Sequence, residues 1–265
     1  CGIIGNSSRD NISRVKLMMD RMIHRGPDGK GTWRSKKNKV TLGHVRLAIQ
    51  DLSIAGKQPM HHPAGLHYVI NGEIYNYPEL KNQLAQSVKF NSICDSEIIK
   101  YGWMESGDKF INKLNGMFAL AIFDERNNTV TLARDRLGIK PLYYTVYKDE
   151  LLFASEIKAL FGAIDSDEWT INTQALSEYM AYQTSLGENT LFSNVFQVPP
   201  GYTVTFDVNN LKDIRKVAYW SLSTNENKSF TFPDTLNKFK EVFQRSVKRH
   251  LLSDVEVASY ITAGF

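Results

Sequence analysis

Cys1 carries a thiol and, standing first, a free α-amine on the same residue. The thiolate is the reactive nucleophile, and an ordinary Cys thiol, with a pKa near 8.5, needs help to ionise at neutral pH. An α-amine titrates at about 7.7–8.0, close enough to neutrality to move a proton. One residue can therefore combine nucleophile and base; the competing reading is that Cys1 stands first by accident. Asn71-Gly72 offers a second piece of chemistry. A carboxamide beside a glycine N–H supplies two donors, the parts of an oxyanion hole for acyl transfer. The same pair is also a strong hairpin-turn signal. Asp95 stands either as the N-cap of a following helix or as a carboxylate for a ligand ammonium group.

The elements that must position these residues follow from periodicity. Gly2 and Gly5 bracket Ile3-Ile4, as in a short buried strand ending in a turn. Asn11 to Arg25 reads as a helix, with Val15, Leu17, Met18, Met22 and Ile23 on its apolar side, stopped by Gly26-Pro27. Strands are expected over Val40–Ile49, Leu66–Ile70, Phe118–Asp124, Val130–Arg134 and Leu151–Ser155. Helices are expected over Tyr77–Ser87, Glu97–Glu105 and Glu156–Phe161. Hairpins between helices imply an α+β class with antiparallel sheets. Asp234 to Leu252 reads as an amphipathic helix, with Leu236, Phe239, Val242, Phe243, Val247 and Leu251 on one face, and Ala258–Ile261 as a strand.

Composition sets bounds. The 265 residues allow one large domain, or one and part of another. At 42% hydrophobic and 23% charged the chain is of globular type, and no apolar run approaches the ~20 residues of a membrane helix. A net charge of +4 is too weak to argue for nucleic acid. Cys1 and Cys94 are the two cysteines, which excludes a disulfide framework. His61-His62 reads as a solvated loop pair rather than a zinc site. With no signal-peptide pattern before Cys1, a cytoplasmic setting is expected.

Cys1-Gly2-Ile3-Ile4-Gly5, Arg25-Gly26-Pro27-Asp28, Gly43-His44-Val45-Arg46-Leu47-Ala48-Ile49, Asn71-Gly72-Glu73-Ile74-Tyr75-Asn76, Asp95-Ser96-Glu97, Gly116-Met117-Phe118-Ala119 and the run Ala133 to Tyr144 together resemble the glutaminase domain of glutamine-hydrolysing asparagine synthetases. These are class II glutamine amidotransferases with an N-terminal nucleophile. The resemblance implies a four-layer αββα N-terminal-nucleophile hydrolase sandwich over residues 1–205, and over 206–265 a linker with the first elements of an incomplete α/β ATP-pyrophosphatase-type domain. It implies Cys1 as nucleophile and, through its amine, base, with Asn71 and the Gly72 N–H as oxyanion hole. Arg46 would grip the glutamine α-carboxylate, two-pronged as only a guanidinium can. Gly72, Glu73 and Asp95 would hold the α-ammonium group, and Leu47 and Ile49 complete the substrate-binding set. His44, beside the site, is expected to pack.

Further expectations come with the resemblance. Glutamine is the small-molecule substrate, with a possible homodimer and neither nucleic acid nor membrane as partner. The glutaminase domain needs no cofactor; ATP and magnesium are expected for the synthetase unit. Thr262-Ala263-Gly264-Phe265 looks like the start of that unit's pyrophosphate loop, departing from it at Thr262 and Ala263, so the chain reads as a piece of a longer one. Ammonia would pass to an ATP-activated carboxylate, on aspartate or a related acceptor. The alternatives are a non-catalytic glutamine-binding or scaffold domain, or an amidotransferase for a sugar or antibiotic precursor.

Overall fold

A computed structural model describes residues 1–7, 12–37, 39–225 and 229–259. Two six-stranded antiparallel sheets form its centre. The first contains β1 (Gly2–Ser7), β2 (Gly29–Arg34), β3 (Val40–Arg46), β8 (Tyr143–Tyr147), β9 (Glu150–Ala154) and β10 (Phe196–Gln197), in the order β10-β8-β9-β1-β3-β2. The second contains β4 (Met60–His62), β5 (Leu66–Ile74), β6 (Gly116–Asp124), β7 (Thr129–Arg134), β11 (Tyr202–Asp207) and β12 (Asn210–Ala218), in the order β12-β11-β7-β6-β5-β4.

Side chains alternate across a strand, and that period of two separates three cores. Ile3, Leu42, Val69, Ala119, Ala121 and Phe153 meet between the sheets. Ile4, Val45 and Leu152 face outward onto α1 (Ile12–Asp20) and α4 (Ile157–Leu160), where Val15, Met18, Met19 and Leu160 cover them. Tyr68, Ile70, Ile74 and Phe118 face the other way, onto α2 (Tyr77–Leu84) and α3 (Ile98–Ser106), against Leu80, Ile98 and Trp103. Helix, sheet, sheet and helix are thus stacked as the αββα sandwich expected.

Several local expectations are corrected. The first helix stops at Asp20, and a separate 3₁₀ turn, Ile23–Arg25, tightens the chain before Gly26. Leu17 and Ile23 are exposed, and Met19 takes the buried place beside Met18 and Met22. Asn71-Gly72 is not a turn. β5 runs on through Ile74, pairing Asn71 with Ala119 and Gly72 with Phe118, because β6 is long enough to partner it throughout. Asp95 does not cap α3: it opens a 3₁₀ turn, Asp95–Glu97, and its side chain turns elsewhere. His61 and His62 lie on the edge strand β4 rather than in a loop.

The last elements extend the second sheet. Residue 205 falls within β11, and β12 continues the sheet to Ala218. A further helix, α5 (Thr173–Tyr182), precedes them. α6 (Phe232–His250) opens with a reciprocal cap between Thr231 and Asp234, and its apolar face is exposed from Leu236 to Val247. A strand is expected over Ala258–Ile261, but Ala258 and Ser259 are not in one; Tyr260 to Phe265, with the rest of that expectation and the Thr262–Phe265 loop, lie outside the described residues. No helix among the described residues is long and apolar enough to cross a membrane.

Candidate active site

The alternation that builds the core also builds the site. Cys1 shares the parity of Ile3, Asn71 and Glu73 that of Val69, and His44 and Arg46 that of Leu42. All therefore stand on the inner faces of the two sheets, at one end of the sandwich. A cleft of about 600 Å³ opens there, lined by Cys1, Arg46, Leu47, Ile49, Asn71, Gly72, Glu73 and Asp95. Every residue assigned to the site from sequence meets the others at this cleft.

Cys1 is fixed at both ends of its backbone. Its α-amine donates to the Arg25 carbonyl at 2.7 Å, while the Arg25 Nε donates back to the Cys1 carbonyl at 3.0 Å. Arg25 is in turn held by Glu156 at 2.9 Å, in an ion pair shared with His24. The glycine after Arg25 is required: a Cβ on Gly26 would lie 2.3 Å from the Val45 carbonyl carbon. Burial, then the charges of Arg25 and Lys140, hold the Cys1 amine down to a pKa of about 5. It is therefore a neutral amine at pH 7, with a lone pair free to accept a proton. The thiol rests on the Leu47 backbone, whose N–H donates to Sγ at 3.3 Å.

Asn71 is only 2% exposed. Its Nδ2 is buried and has no hydrogen-bond partner among the described residues. Such an orphan donor costs about 1–3 kcal/mol, so it calls for an explanation. A group arriving in the cleft would supply the missing acceptor. Gly72 can only be glycine: a Cβ there would sit 2.0 Å from the Met117 carbonyl oxygen, at a φ of +155°.

Asp95, 3% exposed, accepts from the Ile74 N–H at 2.7 Å through Oδ2 and from the Ser96 hydroxyl at 3.1 Å through Oδ1. Burial nevertheless raises its pKa, and burial with the Asp95 charge raises that of Glu73. Neither carboxylate has an ion-pair partner among the described residues. Two desolvated carboxylates facing one cleft, neither ion-paired among the described residues, form a ready seat for an ammonium group. Arg46 lies at the opposite wall. Its Nη1 donates to the Ser53 carbonyl at 2.9 Å and its Nη2 to the Asp51 carbonyl, so the guanidinium is oriented before any ligand arrives.

His44 Nε2 donates to the Ile70 carbonyl, 3.2 Å away, and burial drives its pKa down to about 3. It stays neutral and braces the strand beside Asn71. Residues that sequence reasoning left without a role are Arg25, Glu156, Lys140 and Asp51. Arg25 stood in a visible Arg-Gly-Pro-Asp motif. Lys140 lay within the quoted run Ala133 to Tyr144, whereas Glu156 and Asp51 stood in no quoted motif and bind segments far off in sequence. Lys140 owes its place to Asp135, whose carboxylate binds the N–H groups of Phe118 and Lys140 at 3.2 and 2.9 Å.

The fold is that of an N-terminal-nucleophile hydrolase sandwich, with Cys1 in a cleft at one end. A model of the glutamine amidotransferase domain matches residues 1–220, and the chain belongs to that family of enzymes. It is 35% identical over 266 residues to the amidase chry2 of Gibberella zeae, covering 99% of this chain and 39% of the relative. It is 34% identical over 274 residues to glutamine-hydrolysing asparagine synthetase 3 of Bacillus subtilis, covering all of this chain and 43% of the relative. The chain thus spans about two fifths of the length of these relatives. The phosphoribosylpyrophosphate amidotransferase of B. subtilis shares the fold with a TM-score of 0.62 at 20% identity, covering 86% of this chain and 50% of that one.

Proposed function

We propose that this domain hydrolyses the side-chain amide of glutamine. The Cys1 thiol gives its proton to the neutral α-amine as sulfur attacks the amide carbon. Negative charge gathers on the former carbonyl oxygen, which accepts from the Asn71 Nδ2 and the Gly72 N–H. Collapse breaks the carbon–nitrogen bond, the ammonium of Cys1 returns its proton to the departing nitrogen, and ammonia leaves a thioester. Water then adds by the same route, releasing glutamate and the free thiol. Arg46 binds the substrate α-carboxylate, and Glu73 and Asp95 its α-ammonium, with Leu47 and Ile49 forming the wall between.

The orphan Asn71 donor, in the same cleft as a thiol with a depressed amine, carries this reading. Glutamate release from glutamine is the test, with Cys1→Ala as control. The parent chain should release glutamate and the variant none; equal rates would remove the thiol from the reaction.

We further infer, from the relatives, that the ammonia serves an ATP-dependent, synthetase-like unit that amidates a carboxylate on aspartate or another acceptor. That unit is taken to start beyond Trp220, where the match to the amidotransferase family ends. ATP and magnesium belong to that unit, and the hydrolysis written above balances without them.

A further inference from the structure

The segment that leaves α6 returns to the glutamine cleft. The Asp254 N–H donates to the Ile49 carbonyl at 3.0 Å. Its Oδ2 accepts from the Asp51 N–H at 2.7 Å. The Gln50 side chain donates to the Leu252 carbonyl at 3.3 Å. Ile49 and Gln50 of the cleft wall, and Asp51 next to them, are thus held by a segment about two hundred residues away in sequence. α6 is anchored nearby, with His250 against the Tyr75 ring at 4.4 Å and Arg249 on Glu79 at 3.4 Å.

Asp51 is the hub of this wall. Its backbone takes a positive φ of 50°, which a non-glycine residue holds only when its surroundings fix it. Its carbonyl accepts from the Arg46 guanidinium. Its carboxylate accepts from the Ser53 N–H at 3.1 Å and from the Ile93 N–H at 3.2 Å. Ile93 leads directly into Cys94 and Asp95. One residue therefore touches both the arm that carries Arg46 and the arm that carries Asp95.

We propose that residues 252–254 are a clasp that positions this wall, and that Asp254, acting through Asp51, sets the affinity of the cleft for glutamine. Asp254 is a positioning residue; it is exposed and touches no reacting atom. The clasp ties glutamine affinity to the position of the C-terminal end of α6, so whatever shifts that helix shifts substrate binding. The inference rests on the reading of the cleft as a glutamine site.

The test compares the parent chain with Asp254→Ala and Asp254→Asn in glutamate release across a range of glutamine concentrations. Asp254→Ala should raise KM about two- to ten-fold, the equivalent of one net hydrogen bond, with kcat within two-fold. Asp254→Asn keeps an acceptor oxygen and should restore KM. An unchanged KM in Asp254→Ala overturns the clasp, as does a loss confined to kcat or an Asn variant no better than the Ala one. A parent chain that releases no glutamate overturns instead the function on which the clasp depends.

Discussion

Asn71→Ala separates catalysis from stability more sharply than any other change at this site. The Nδ2 is buried with no partner, so in the resting protein it gives the fold nothing. Removing an unsatisfied donor relieves a burial cost of about 1–3 kcal/mol. Against this stands the lost packing of a few side-chain atoms, roughly 30 Å³ at about 24 cal/mol per Å³, or about 0.7 kcal/mol. The relief outweighs the loss, and the variant should be about 0.3–2.3 kcal/mol more stable than the parent in denaturant unfolding. In turnover nothing opposes the loss. A single oxyanion donor is worth about 2.7–4 kcal/mol of barrier, so kcat should fall by roughly 10²–10³ while KM moves little. The assay is glutamate release at saturating and limiting glutamine, paired with a denaturant midpoint. Asn71→Asp should be at least as slow, since its charge opposes the forming oxyanion. A kcat within ten-fold of the parent, or a loss of stability that matches the loss of rate, would refute the assignment.

The pH profile follows from the depressed Cys1 amine. Only its neutral form can accept the thiol proton, so kcat/KM should fall as pH drops through about 5, rather than through the usual α-amine value of 8.0. Arg25→Met removes a charge that lowers this pKa and should move the acid limb upward, whereas Arg25→Lys keeps the charge and should leave it near 5; a limb that ignores both would clear Arg25 of that role. Arg46→Lys and Asp95→Asn should each raise KM about ten- to a hundred-fold with modest change in kcat, the scale of a hydrogen bond to a charged group, and an unchanged KM would take them out of substrate binding. Gly72→Ala drives a methyl into the Met117 carbonyl; a thermal midpoint lowered by roughly 4–10 °C is expected, and an undisturbed midpoint would show that β5 and β6 can part there at no cost.

Motifs rich in glycine and charge were legible in the chain, and they carry the site. Cys1, Asn71 and Asp95 could be read from their own chemistry, whereas Arg46 and Glu73 were named only through the resemblance of the motifs that hold them. Long apolar strands such as β6 were equally plain. Edge strands were not. Gly29–Arg34 holds two glycines and three outward polar residues, and Asn210–Ala218 is mostly charged or polar, so neither has the apolar alternation that marks a strand. Asn71-Gly72 misled for a different reason. The glycine is there to let a neighbouring strand approach, and a local signal cannot distinguish that from a turn. Asp254 carried no signal at all, since its meaning lies wholly in a contact with Asp51.

Cys1 and Asn71, the proposed nucleophile and oxyanion donor, hang from different sheets, Cys1 from the end of β1 and Asn71 from β5. The gap between them is therefore a thickness: that of the layer in which Ile3, Val69, Ala119, Ala121 and Phe153 interlock. Those side chains act as a spacer gauge. A close-packed layer does not compress or swell freely, so the gauge holds its setting against thermal motion. It also means that a methyl group added at Ala121, two places along β6 from the residue that pairs with Asn71, would spread the jaws of the site. Drift in the interior of this protein would register first as slower turnover, and only later as a loss of fold.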